Sequence, residues 1–95
     1  MKRDEVARYV AAKTGVSIAA SERVTQEVFN TILEAVADGV TVQIRGFGTF
    51  TTKARAQRIG RDTRTKEPIV IPSRVIPQFT PSPVFKEKVN KAQGG

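Results

Sequence analysis

Ninety-five residues with no cysteine, no histidine and a formal net charge of +7 form one small domain, which folds with only about two-thirds of its surface buried. With no disulfide to staple it, association with a second chain is the natural remedy. The usual zinc ligands and the commonest acid–base group are missing, and no run approaches the roughly 20 apolar residues of a membrane span.

The spacing predicts a helix over residues 3–14. Val6, Tyr9, Val10 and Lys13 share one face, Asp4 and Glu5 suit the positive N-terminal dipole, and Gly15 is placed to end it. This charged start also lacks the pattern of a secretory leader, so a soluble, cytoplasmic protein is expected. Ser17 is placed to cap a second helix running to about residue 38, where Gly39 stops it. Its stripe of Val24, Val28, Phe29, Ile32, Leu33 and Val36 is wide enough to be buried against something large.

The period then changes from 3.6 to 2. Val40, Val42 and Ile44 alternate with Thr41, Gln43 and Arg45, which predicts a half-buried strand. Gly46-Phe47-Gly48 predicts a tight turn whose glycines either cradle a phosphate or meet a backbone need for positive φ or close packing. A second strand starts at Thr49, with Phe50 facing inward. Beyond it the inward positions shrink to Thr52, Ala54 and Ala56, so this ribbon has no core to sit on. It continues to Ile59-Gly60-Arg61, turns through Asp62-Thr63-Arg64-Thr65, returns through Ile69-Val70-Ile71 and rejoins the sheet between Val75 and Phe79. Pro68, Pro72 and Pro77 remove backbone donors and place the returning strand at an edge. Ser82 with Pro83 predicts the cap and first residue of a short helix. Its buried side would be Val84, Phe85 and Val89, and its wet side Lys86, Lys88 and Lys91. Residues 92–95 carry no ordering signal. Phe47, Phe50, Phe79 and Phe85 are read as core residues rather than base-stacking platforms. Ser82 is read as a cap rather than a nucleophile, because no histidine exists to activate it.

Charge is spread unevenly along this order. Residues 1–52 hold six basic and six acidic side chains, whereas residues 53–74 hold Lys53, Arg55, Arg58, Arg61, Arg64, Lys66 and Arg74 against Asp62 and Glu67 alone. Five of those seven cations are arginine, the better phosphate fork. Concentrated positive charge on a coreless ribbon is the footprint of a polyanion partner.

Taken together, the segments Gly46-Phe47-Gly48-Thr49-Phe50, Arg55-Ala56, Gly60-Arg61, Thr65 and Ile69 to Ile71 resemble the bacterial HU and integration host factor family over nearly the whole chain. Ile44-Arg45-Gly46-Phe47-Gly48 is particularly similar to the beta-subunit branch. The resemblance implies an α+β fold. A helical hairpin body would carry a three-stranded antiparallel sheet with a protruding two-stranded β-arm over about residues 53–74, followed by a short C-terminal helix. One HU-like domain would span residues 1–95 and pair into an intertwined dimer, a homodimer or a heterodimer with a related subunit. The family's arms wrap the minor groove of double-stranded DNA and bend it with intercalating wedges. Lys53, Arg55, Arg58, Arg61, Arg64 and Arg74 would then contact phosphate or line the groove, and Arg45 would reach toward it from the saddle. Gly46 at the saddle turn, Thr63, Thr65 and Lys66 at the tip, and Lys86 on the last helix complete the DNA-binding set.

One departure stands out. The family's tip usually reads Gly-Arg-Asn-Pro-x-Thr-Gly, and here Thr63 occupies the place of the wedge proline while Lys66 replaces a glycine. Threonine offers less rigid apolar surface to a base step, so weak bending, or bending by wrapping alone, is expected. No enzymatic activity, cofactor, metal or small-molecule substrate is expected, and the protein would be nucleoid-associated. The alternative reading is an RNA-binding or structural nucleoprotein component that uses the same arm.

Overall fold

Helix α1 occupies Arg3–Thr14, as its spacing predicts, in the computed structural model, which describes residues 1–94. The Lys2 N–H donates to the Glu5 carboxylate at 3.3 Å, supplying an acceptor to a donor that the helix leaves orphaned. At the other end Gly15 takes φ 78° and donates its N–H to the Ala11 carbonyl, the left-handed stop that glycine adopts without steric penalty.

The buried face of α1 differs from expectation. Ala7 (1% exposed) and Ala11 turn inward, whereas Tyr9 and Val10 are exposed. Helix α2, which spans Ile18–Ala37, packs on α1 and buries the polar residues Ser21 and Thr25. Ser21 Oγ donates to the Ala7 carbonyl at 2.6 Å. Small side chains four residues apart on both helices permit that approach, which Tyr9 or Val10 at the seam would block. Size, rather than hydrophobicity, therefore selects the face.

Ser17 Oγ accepts the Ala20 N–H at 3.2 Å and caps α2 as predicted. At the C-terminus Gly39 (φ 83°) donates to Val36 O and Val40 donates to Ala35 O, the paired bonds of a Schellman stop. Val40 is thereby taken out of the strand that alternation assigned to it, and β1 comprises Val42–Ile44 only. The apolar stripe of α2 is also not covered within the chain. Val36 is buried and Ile32 half-buried, but Val24, Val28, Phe29 and Leu33 (66%) are exposed. Ile32, Leu33, Val36 and Ala37 form one wall of an open apolar groove of ≈ 550 Å³, with Phe50, Val75 and Pro77 opposite.

Strands β2 (Gly48–Arg55) and β5 (Arg74–Pro81) pair antiparallel along their full length, and β1 covers β2 only from Gly48 to Phe50. The sheet order is β1-β2-β5, so the ribbon is two-stranded beyond Phe50. Strands β3 (Arg58–Arg61) and β4 (Pro68–Ile71) form the outer ladder. Arg55 opposes Arg74 and Arg58 opposes Ile71, so two residues on each side, Ala56–Gln57 and Pro72–Ser73, separate the ladders without a slip of register. β5 and β4 lie at edges, where the missing proline donors are tolerated.

At the root of the sheet Phe47, Phe50, Phe79 and Phe85 cluster, with ring centroids 4.7 Å apart for Phe50–Phe79 and 5.2 Å for Phe47–Phe85. Ser82 donates its N–H to Phe47 O, and its hydroxyl accepts the Phe85 N–H. It thus caps helix α3 (Pro83–Val89) against the turn. The expected buried side of α3 is realised only at half-buried Phe85, because Val84 and Val89 are exposed. The helix then widens into a π-helical turn over Asn90–Gly94, with Lys91 Nζ 2.9 Å from the Glu87 carboxylate. Residues 92–94 continue in this turn, and the last position of the 92–95 tail lies outside the described residues. The Cα radius of gyration is 18.9 Å, against about 12 Å for a compact domain of this length. The projecting arm accounts for the excess.

Candidate nucleic-acid interface

Asp62 builds the tip of the arm. Its N–H donates to Glu67 O and its carbonyl accepts the Lys66 N–H, both at 2.9 Å. Its carboxylate accepts the N–H groups of Arg64 (2.7 Å) and Thr65 (3.3 Å). An aspartate folding back on the next residues is an Asx-type turn, and here it engages the Asp62 carboxylate with backbone N–H groups, Glu67 being the loop's other acid. Thr63, Arg64, Thr65 and Lys66 are left on the outside of the bend, all exposed, while the Arg61 guanidinium donates to Lys66 O at 3.2 Å. In the sequence Asp62 registers as a countercharge and as the first residue of the turn, with no sign of these bonds. The signal for its structural role is its place directly before three loop residues.

Lys66 sits at φ 66°, the single non-glycine in the left-handed region among the described residues. A side chain there costs about 1–2 kcal/mol relative to glycine, and the strain coincides with the place where the family motif has glycine. Lys66→Gly is therefore expected to slow amide exchange across the tip by about five- to thirtyfold, the equivalent of that strain. Unchanged exchange at Lys66 and Glu67 would show that the tip relaxes around the lysine.

Further down, Arg55, Ala56, Gln57, Arg58, Arg74 and Ile76 line one concavity of ≈ 500 Å³ at the break between the two ladders. Lys53 lies two pairs nearer the body, opposite Ile76. Strict alternation would send Arg58 to the face opposite Arg55, yet at the unpaired step it borders the same concavity. Gln57 belongs to this group as well, and nothing in the sequence singles it out.

The third group lies at the root. Arg45 opens the turn closed by the Phe47 N–H to Ile44 O bond, and Gly46 takes φ 78° there. Gly48 is buried, and a Cβ on it would lie 2.6 Å from Thr80 O. Conformation accounts for the first glycine and close packing for the second. Arg45 and Gly46 share a recess with Ser82 and Pro83, and Lys86 follows one turn along α3, its N–H bonded to Ser82 O. The structure thus brings the tip residues together, gathers three arginines at the arm break, and seats Arg45, Gly46 and Lys86 at the base.

Every one of these cations is exposed. The ion pairs among the described residues are Arg3–Asp4 and Lys91–Glu87, so no arm cation has a carboxylate partner within 4.0 Å. Among the described residues no group of metal-ligating side chains gathers, and no helix is long and apolar enough to cross a membrane.

The fold and this surface define a small α+β protein that projects an unneutralised arginine ribbon from a helical hairpin. The chain belongs to the bacterial DNA-binding protein family, the HU and integration host factor group, whose model matches residues 1–90. It is 40% identical over 91 residues to the DNA-binding protein HU of Clostridium pasteurianum, covering 96% of this chain and 100% of the relative. With the integration host factor beta subunit of Marinobacter nauticus it shares 32% over 91 residues, 95% of this chain and 93% of that one. The solved cocrystal structure of Anabaena HU with DNA superposes with a TM-score of 0.88 at 36% identity, covering 94% of this chain and 97% of the other.

Proposed function

We propose that this protein is a non-enzymatic architectural protein that binds double-stranded DNA with little sequence preference and wraps it with a pair of basic arms in the minor groove. The observation that carries this reading is the arm itself. It is a two-stranded ribbon without a core, marginal in water on its own, whose cations are matched by no carboxylate. Such a surface is stabilised by a polyanion running along it. The family relationship and the HU–DNA cocrystal support duplex DNA as that polyanion, in preference to structured RNA. Nucleoid association follows from the same reading.

Two copies are needed. Among the described residues only Ala7, Ala11 and Val36 are buried apolar residues within one chain, whereas covering Val24, Val28, Phe29 and Leu33 would contribute about 1.5–3 kcal/mol per side chain. A homodimer intertwined over the α2 groove supplies that cover. Its apparent melting temperature should rise with protein concentration, and a concentration-independent transition with a monomeric sedimentation mass would refute it.

Lys53, Arg55, Arg58, Arg61, Arg64 and Arg74 act as phosphate and groove contacts on the arm. Thr63, Thr65 and Lys66 present the tip, and Arg45, Gly46 and Lys86 flank the duplex at the base. With Thr63 in the wedge position, bending relies on wrapping. In circularisation of short duplexes, with structured RNA as competitor, wild type should favour duplex and close circles less efficiently than Thr63→Pro. Equal circularisation by both would show the wedge position to be dispensable, and preference for RNA would overturn the duplex assignment.

A further inference from the structure

The two faces of the outer ladder are built differently. On one, the cross-strand pairs are Arg58–Ile71 and Gly60–Ile69. There Ile71 folds over the glycine, so closely that a Cβ on Gly60 would lie 2.8 Å from Ile71 Cδ1. On the other, Ile59 pairs with Val70 and Arg61 with Pro68, and the apolar pair stands open, Ile59 75% exposed and Val70 62%. Strand propensity does not require this. Nearer the body the same ribbon uses Thr49, Thr51 and Thr52, β-branched residues that favour an extended backbone equally and carry a hydroxyl for water. Exposed apolar side chains on a ribbon also invite pairing with other chains, a hazard that threonine would reduce. The pair lies among cations, Arg58 and Arg61 on its own strand and Arg64 at the tip, none with a carboxylate within 4.0 Å among the described residues. The surface that fits it is therefore apolar and bordered by negative charge, as the sugar wall of a nucleic-acid groove is between its phosphates.

We propose that Ile59 and Val70 are the residues by which the arm selects deoxyribose over ribose. An RNA minor groove displays a 2′-hydroxyl on each nucleotide. Laid against the Ile59–Val70 pair, that hydroxyl loses its water and gains no hydrogen bond, a penalty that DNA, with hydrogen in its place, does not incur. The neighbours on this face do not offset the loss, because Pro68 has no N–H and the Arg61 guanidinium is turned to Lys66 O at 3.2 Å. Discrimination of this kind desolvates the wrong partner's polar group and needs no base contact to the right one. The inference rests on the duplex-binding reading and adds the sugar as the feature recognised.

The test measures binding of the full chain, over a salt series, to duplexes of one sequence made as DNA, as RNA and as 2′-fluoro RNA. The last keeps the A-form but carries fluorine in place of each 2′-hydroxyl. Wild type should prefer DNA to RNA, and should bind the 2′-fluoro duplex about tenfold or more better than RNA, the equivalent of one buried hydroxyl left unpaired. In the double variant Ile59→Thr, Val70→Thr that gain should vanish and the preference for DNA should shrink by a similar factor. Its salt slope on DNA should stay that of wild type, since no phosphate contact is removed. Val70→Thr alone, close to isosteric and still β-branched, should fall between the two. Arg64→Gln should weaken binding to all three duplexes alike and leave their ratios as they are. A 2′-fluoro duplex bound no better than RNA, or favoured over RNA equally by wild type and the double variant, would overturn sugar selection while leaving duplex binding intact. Wild type that prefers RNA, or binds no DNA duplex, would overturn the duplex reading and sugar selection with it.

Discussion

Raising monovalent salt from about 50 to about 200 mM is expected to weaken duplex binding by about ten-thousandfold, because a dimer that neutralises some 8 phosphates follows a slope near −7 in log affinity against log salt. The expectation comes directly from the arm. None of its cations is spent on a carboxylate, so each is free to displace a condensed counterion. Replacing Arg58 and Arg61 together by Ala removes two cations per arm and should flatten the slope by about 3 to 4, at about 0.9 per phosphate in a two-armed dimer. Binding should weaken alike on every sequence, since phosphate contacts position a protein without specifying its site. A wild-type slope shallower than about −2 would show that the arms do not track the backbone. Loss confined to one class of sequence would instead point to base readout through Arg45.

Gly48→Ala is expected to destabilise the fold by about 3 kcal/mol, at the upper end of overpacking costs. Its Cβ would lie 2.5 Å from Phe79 Cε1 and 2.6 Å from the Thr80 carbonyl oxygen. The ring belongs to the aromatic cluster and the carbonyl to the paired strand, so neither can move aside cheaply. The melting temperature should fall by roughly 10 °C or more. Gly46→Ala is the informative comparison. That site has open space around the missing Cβ but a φ of 78°, so only the left-handed penalty of about 1–2 kcal/mol applies. Equal melting temperatures for the two variants would mean that the Phe79–Gly48 contact does not hold the turn.

Much of this architecture was legible in the residues. The bounds of α1, the Ser17 and Ser82 caps, the arm strands and the aromatic cluster all follow from short-range signals, caps and periodicity, which act within a few residues. The misreadings concern long-range selection. The α1 seam chose Ala7 and Ala11 over Tyr9 and Val10, because the decision depends on how closely a second helix can approach. Val40 is the local exception: its N–H is taken by the Ala35 carbonyl in the stop of α2, five residues back along the chain. The stripe on α2 was read correctly as apolar, but one chain alone does not cover it. At the site, charge clustering found the cations and the family resemblance placed them. Neither revealed that Asp62 organises the tip, nor that Arg55, Arg58 and Arg74 meet at a break in the ladder. Those relations arise from tertiary register, to which spacing along the chain is blind.

The unslipped register of the arm has a consequence for reach. Side chains alternate with a period of two, so one residue added to each strand would turn every group beyond it to the other face. Two residues added to each strand would extend the arm by about 6.6 Å and restore every face. Arm length is therefore a quantised design variable, adjustable in two-residue steps while the helical body stays unaltered.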